Sequence, residues 1–140
     1  RAIAVYVAGL SRDRNTVTPP TPGKPDPAQA DTPRATSAAI YAGACAVCHD
    51  KPAGAASEAT SLTLSSSLRL QRPRNALNAI VHGIARPLGA SGPFMPAFGT
   101  TLTDQQIADL TNYIRARFGG AAAWGDVQGD LQKIRNGDPS

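Results

Sequence analysis

Residues 43–50 read GACAVCHD and hold both cysteines of this 140-residue chain, Cys45 and Cys48, with His49 directly after the second. Two thiols at this spacing serve as a redox pair, as half of a zinc site, or as the anchor of a haem. A redox pair sits at the end of a strand inside a β-α-β pattern. Here residues 37–48 place Ile40, Tyr41, Ala44, Cys45 and Cys48 along one helical face, and no strand precedes them. Zinc would draw on a nominal set of Cys45, Cys48, His49 and His82. Yet zinc sites space their ligands by two or more residues, whereas His49 adjoins Cys48 and His82 has no second histidine near it.

Cys-x-x-Cys-His is the attachment pattern of c-type haem. Two thiols one helical turn apart can add to the two vinyl groups on one porphyrin edge, and the next residue then offers its imidazole to the iron as proximal ligand. Such an iron needs a second ligand on its other face. The single methionine, Met95, lies in GPFMPAFG, residues 92–99, between Pro93 and Pro96, which stiffen the loop. Methionine often fills gaps in a core. This one lies in a Gly/Pro loop and on no helix face, so His49 and Met95 are the expected axial pair. His82 is the alternative ligand, but its place just before Gly83 at a helix end better suits a surface or propionate-contacting role.

Outward from the motif the signals are helical. Residues 73–82 open on Pro73, a favoured first-turn residue, carry Leu77, Ile80 and Val81, and stop at Gly83. Thr103 followed by Gln106 forms a capping box for a helix with Ile107, Leu110, Ile114 and Phe118 on one stripe, ended by Gly119 and Gly120. A short helix is expected from Asp126 to Arg135 through Val127, Leu131 and Ile134. Loops rich in Gly, Pro and Ser occupy 51–72 and 85–102, and no stretch alternates with a period of two. The expected class is all-α.

The first ten residues, RAIAVYVAGL, read as the end of an amphipathic helix. Laid on residues 109–118, DLTNYIRARF, they put Ile3 on Leu110, Tyr6 on Tyr113 and Val7 on Ile114. Ser11 to Thr36 carries Pro19, Pro20, Pro22, Pro25, Pro27 and Pro33 with almost nothing to bury, a semi-rigid linker spanning at most roughly 80 Å. The expected layout is 1–10 as a helical remnant, 11–36 as linker, and 37–137 as the domain. Aromatics make up only 5% of residues, thin for a self-sufficient core and in keeping with a cofactor that completes it. The net charge of +4 is scattered, without the dense basic run or stacking aromatics of a nucleic-acid binder. No stretch reaches the roughly 20 apolar residues that cross a bilayer. The chain opens on Arg1, as expected of a processed or excised piece.

The Cys-x-x-Cys-His on an N-terminal helix, the MPAFG loop (95–99) and LTDQQIADLTNYIRARFG (102–119) resemble class I cytochromes c. More narrowly, residues 37–135 resemble the last haem domain of multi-haem cytochrome subunits of bacterial membrane-associated dehydrogenases, of the quinoprotein alcohol dehydrogenase or molybdenum hydroxylase type. The tail ARFGGAAAWGDVQGDLQKIR (116–135) leans toward the latter, and residues 1–10 are similar to the closing helix of a preceding haem domain. The resemblance implies three to five helices around one haem c held covalently by Cys45 and Cys48, with Tyr41, Leu62, Leu77, Ile80, Phe94 and Phe98 packed on the ring. It also implies one-electron relay at the periplasmic face of the inner membrane. The donor would be a dehydrogenase subunit or neighbouring haem domain, and the acceptor a terminal oxidase or quinone-linked protein. Membrane association would come only through the parent protein or a partner. Where the family commonly has proline-leucine after the haem motif, this chain reads TSL (60–62), so another backbone carbonyl near Thr60 or Ser61 would hold His49. The rival reading is a haem enzyme or gas-binding sensor with a displaceable sixth ligand, and a third is a module using haem only as a folding core.

Overall fold

The computed structural model describes residues 32–50, 61–86 and 94–138. The helical remnant expected at 1–10 and most of the linker expected at 11–36 lie outside the described residues.

Helix α1 spans Thr32–Ile40 and begins ahead of residue 37, where the sequence pattern starts. Pro33 accounts for this, because a proline in the first turn loses no hydrogen bond and presets the helical φ. Ser37 is buried, and this small side chain lets α1 lie close against α4. The helix does not run straight to the histidine. It widens into a π-turn at Tyr41–Cys45 and tightens again into α2, Ala46–His49. The extra residue in that turn rotates the chain beyond it. The single apolar face expected of Ile40, Tyr41, Ala44, Cys45 and Cys48 is therefore split: Tyr41 and Cys45 are buried, whereas Ala44 and Cys48 are exposed.

Two 3-10 turns, Leu62–Leu64 and Ser66–Arg69, lead to α3, Arg74–His82. Helix α4, Asp104–Ile114, starts as its sequence predicts: Gln106 N donates to Thr103 Oγ1 at 3.2 Å and Thr103 N donates to Gln106 Oε1 at 2.9 Å. It ends in a second π-turn, Arg115–Gly119, closed by Gly120 in the left-handed region. Helix α5, Val127–Arg135, is capped by Asp126, whose Oδ1 accepts from Gly129 N at 2.9 Å. Arg135 Nε donates to Asp104 Oδ1 at 2.7 Å, tying the end of α5 to the start of α4. No strand occurs among the described residues, and the fold is all-α, as the patterning and the resemblance lead one to expect.

The core lies where α1, α3 and α5 meet α4. Leu77, Ile107, Leu110 and Leu131 are fully enclosed there, each contributing about 1.5–3 kcal/mol by leaving water. Tyr41 packs at 5.9 Å from Tyr113 and 5.4 Å from Phe118, which fixes the π-turn against the end of α4. Arg115 and Trp124 staple the second 3-10 turn to the same end. Arg115 Nη1 donates to the carbonyls of Leu68 (3.2 Å) and Leu70 (2.7 Å), and Trp124 Nε1 donates to Leu70 O at 3.0 Å.

Candidate functional site

The helices leave a cavity of about 320 Å3 between the Cys-x-x-Cys-His segment and the loop that carries Met95. That size falls in the range of small-molecule sites. Its wall is mostly apolar, with Leu62, Leu64 and Leu68 from the 3-10 turns, Ala76, Ala79 and Ile80 from α3, Leu110 and Ile114 from α4, and Ile84 and Phe98 beside Met95. Three donor side chains reach it: Cys45, His49 and Met95. Polar cover comes from Ser61, the run Ser65–Ser67, and Asn75.

One side of the cavity is built on the π-turn and α2. Cys45 is 8% exposed, and its thiol is pushed up to about 11, first by burial and then by the negative Asp50. A thiol so perturbed holds almost no thiolate at neutral pH, which argues against thiol–disulfide chemistry there. Cys48 is exposed and stands outside the wall. Asp50 comes directly after the histidine and accepts two hydrogen bonds. Tyr41 OH donates to Oδ1 at 2.5 Å and Arg117 Nη2 donates to Oδ2 at 3.1 Å. Burial, then the bond to Asp50, raise the Tyr41 phenol far above its ordinary range, so it remains a donor.

The other side is fastened mainly through main chain, with Arg135 Nη2 donating to Gly99 O at 2.9 Å from α5. The last turn of α3 has carbonyls with no partner inside the helix. Two of them are taken by the Met95 loop: Phe98 N donates to Ile80 O at 2.9 Å, and Gly99 N to Val81 O at 3.1 Å. Ile84 and Met95 then pair in an isolated antiparallel bridge, with bonds of 2.9 and 3.0 Å. Gly83 makes the turn from the end of α3 into Ile84 at φ +70° and ψ −172°, a conformation open essentially to glycine alone. A Cβ there would lie 2.4 Å from Met95 O. The end of α3 and the methionine loop are thus one unit.

Of the residues expected around a haem, the structure brings Cys45, His49, Leu62, Ile80, Met95 and Phe98 to this cavity. It leaves Tyr41, Leu77 and Phe94 off the wall. Tyr41 lies beneath α4 with its hydroxyl on Asp50. Leu77 is fully enclosed among the helices, because the wall stripe of α3 runs through Ala76, Ala79 and Ile80 and the neighbouring position turns away. Phe94 is 57% exposed with the Arg86 guanidinium over its ring. His82 is also exposed and off the wall. Sequence reasoning passed over Asp50, Arg117 and the serine run. The first two are contacts distant in sequence, and a serine run has no periodic signature.

An imidazole, a thioether and a thiol in an apolar wall suit haem iron and do not suit a hard cation that needs several oxygens. Comparison with known proteins agrees. The chain is 31% identical over 99 residues to a subunit of nicotinate dehydrogenase from Pseudomonas putida, a match covering 69% of this chain and 8% of the relative. It is 29% identical over 113 residues to the cytochrome c subunit of a quinone-type alcohol dehydrogenase from Gluconacetobacter polyoxogenes, covering 78% of this chain and 24% of the relative. It is 31% identical over 93 residues to the fructose dehydrogenase cytochrome subunit of Gluconobacter japonicus, covering 61% and 19%. The chain therefore spans a quarter or less of the length of these curated relatives. Residues 32–114 match the family described as cytochrome c oxidase, cbb3-type, subunit III, and the chain belongs to this family of cytochrome c domains, whose members carry haem c.

Proposed function

We propose that this domain binds a single haem c through thioether bonds to Cys45 and Cys48, with His49 and Met95 as axial ligands. In this reading it relays electrons one at a time from a dehydrogenase partner or neighbouring haem domain to a respiratory acceptor. The observation that carries the reading is that His49 at the end of α2 and Met95 in the loop after α3 line one apolar cavity beside Cys45. Haem supplies a one-electron couple when bound. The chain's residues do the rest. His49 and Met95 would both hold the iron, which would leave it no open position for a substrate and suit the domain to relay. A thioether opposite an imidazole raises the potential. Leu62, Ile80, Phe98, Leu110 and Ile114 keep water from the ring and push the potential the same way.

The names of the relatives supply the partner class, since those proteins are cytochrome subunits of alcohol and fructose dehydrogenases and a subunit of nicotinate dehydrogenase. The resemblance to cytochrome subunits of membrane-associated dehydrogenases implies work at the periplasmic face of the inner membrane. None of the described helices is long and apolar enough to cross a membrane.

Acid-acetone extraction of the denatured protein tests the covalent bond: haem should stay with the chain and add the mass of one group. Free haem in the extract would sink the proposal. Reduced spectra with and without carbon monoxide test the axial pair. The parent should not respond at neutral pH, whereas Met95→Ala should bind carbon monoxide and show a lower potential. A parent that binds carbon monoxide readily would favour the ligand-binding alternative.

A further inference from the structure

Asp50 is an odd residue for its place. It caps the C-terminal end of α2, where the partial charge of the helix is negative and a carboxylate is locally disfavoured. Its carboxylate nonetheless accepts at both oxygens. Tyr41 at the start of the π-turn donates to one oxygen and Arg117 at the end of α4 donates to the other, at 2.5 and 3.1 Å. These bonds close the stretch from Tyr41 to Asp50, which contains both cysteines and the histidine, into a side-chain ring.

Arg117 is held as tightly as Asp50. Its Nη1 donates to Tyr113 OH at 3.1 Å, and its guanidinium carbon sits 4.6 Å from the centre of the Tyr41 ring and 4.9 Å from that of Phe118. Burial alone would make its charge harder to keep, but Tyr113 and Asp50 hold it charged. Its Nε is buried without a hydrogen-bond partner, a cost that a surface arginine would avoid. A disfavoured acid after the motif and a half-buried arginine with one unsatisfied N–H against it are local conflicts of the kind retained at functional positions.

We propose that Tyr41, Asp50 and Arg117 are positioning residues that form a charge-balanced clasp on the haem-attachment segment. The clasp fixes the orientation of the His49 imidazole and offsets the charge that Asp50 brings next to that residue. It presupposes the haem ligation proposed for this domain. Because the two charges are opposite and adjacent, removing either one leaves the other uncompensated at the ligand. A lone anion stabilises the more positive ferric state and lowers the potential, and a lone cation raises it.

The test uses the full chain loaded with haem. Potentials would be measured for the parent and for Asp50→Asn, Arg117→Gln, Arg117→Lys and the double variant Asp50→Asn/Arg117→Gln. Asp50→Asn should raise the potential, Arg117→Gln should lower it, and the double variant should return close to the parent. Arg117→Lys, which keeps the charge but loses the planar fork, should leave the potential nearly unchanged. Tyr41→Phe, which keeps the packing, should alter the pattern of haem methyl shifts in the oxidised NMR spectrum, since that pattern reports the imidazole plane. Haem-loaded variants that all shift in one direction, as general loosening of the pocket would make them, would overturn the clasp. So would the absence of any shift, or an unaltered methyl pattern in Tyr41→Phe. A parent that takes up no haem would instead bring down the functional reading, and the clasp with it.

Discussion

The two sides of the cavity hold their donors by opposite means. On the His49 side the backbone follows a helix with one π-turn, and side chains fasten it: Tyr41, Asp50, Arg117 and the aromatic contacts to Tyr113 and Phe118. On the Met95 side the main chain does most of the fastening, with Arg135 Nη2 adding a bond to Gly99 O at 2.9 Å. The loop is held by its own N–H groups on the last carbonyls of α3 and by two glycines that let the chains touch. Side-chain fastening leaves a graded response to substitution, because a lost hydrogen bond at a partly exposed carboxylate is largely made good by water. Main-chain fastening does not, because a backbone cannot step aside by a rotamer change.

Substitutions on the two sides should therefore differ in size. Gly83→Val forces a branched side chain into a glycine-only conformation and drives its Cβ into Met95 O. It should cost about 3 kcal/mol or more in thermal unfolding and detach the thioether, seen as loss of the sulfur-to-iron absorption. A loss below about 1 kcal/mol would break the contrast between the sides. Gly99→Ala comes next. Its Cβ would meet Val81 O at 2.8 Å and the Val81 side chain at 3.0 Å, so a cost of about 2 kcal/mol is expected in denaturant unfolding, with Met95 still bound.

On the other side, Tyr41→Phe keeps the ring and loses only the bond to Asp50, which is partly open to water. About 1 kcal/mol should be lost, with covalent haem retained. A loss as large as that of Gly83→Val would show that the clasp bears more of the fold than the methionine loop does. The smallest effect is expected from deleting Arg1 to Asp31. Haem content and potential should stay unchanged, and stability within about 0.5 kcal/mol of the parent. A substantial drop would make that segment integral to the domain.

The all-α class, the capping box of α4, the glycine stop after α3 and a last helix opening near Asp126 were legible because each depends on residues within a few positions of one another. Cys45, His49 and Met95 were expected as donors from residue type and order, and the structure brings the three to one cavity. The packing neighbours were less legible. Periodicity shows that a helix has an apolar face but not which apolar neighbour turns toward which cavity, so Leu77 and Tyr41 were expected on the wall and lie behind it.

What the chain determines by itself, then, is a set of helices with defined ends and a motif bearing two thiols and an imidazole. These arise from spacing, capping and intrinsic backbone preference, which act over one or two turns. The tertiary structure alone decided three things: the π-turn that splits the cysteine face, the union of Gly83 with the Met95 loop, and the meeting of Asp50 with Arg117. Each of these joins groups through the crossing of α1 and α4 or the docking of a loop on a helix end. Such contacts arise only when distant segments pack, and no local preference encodes them.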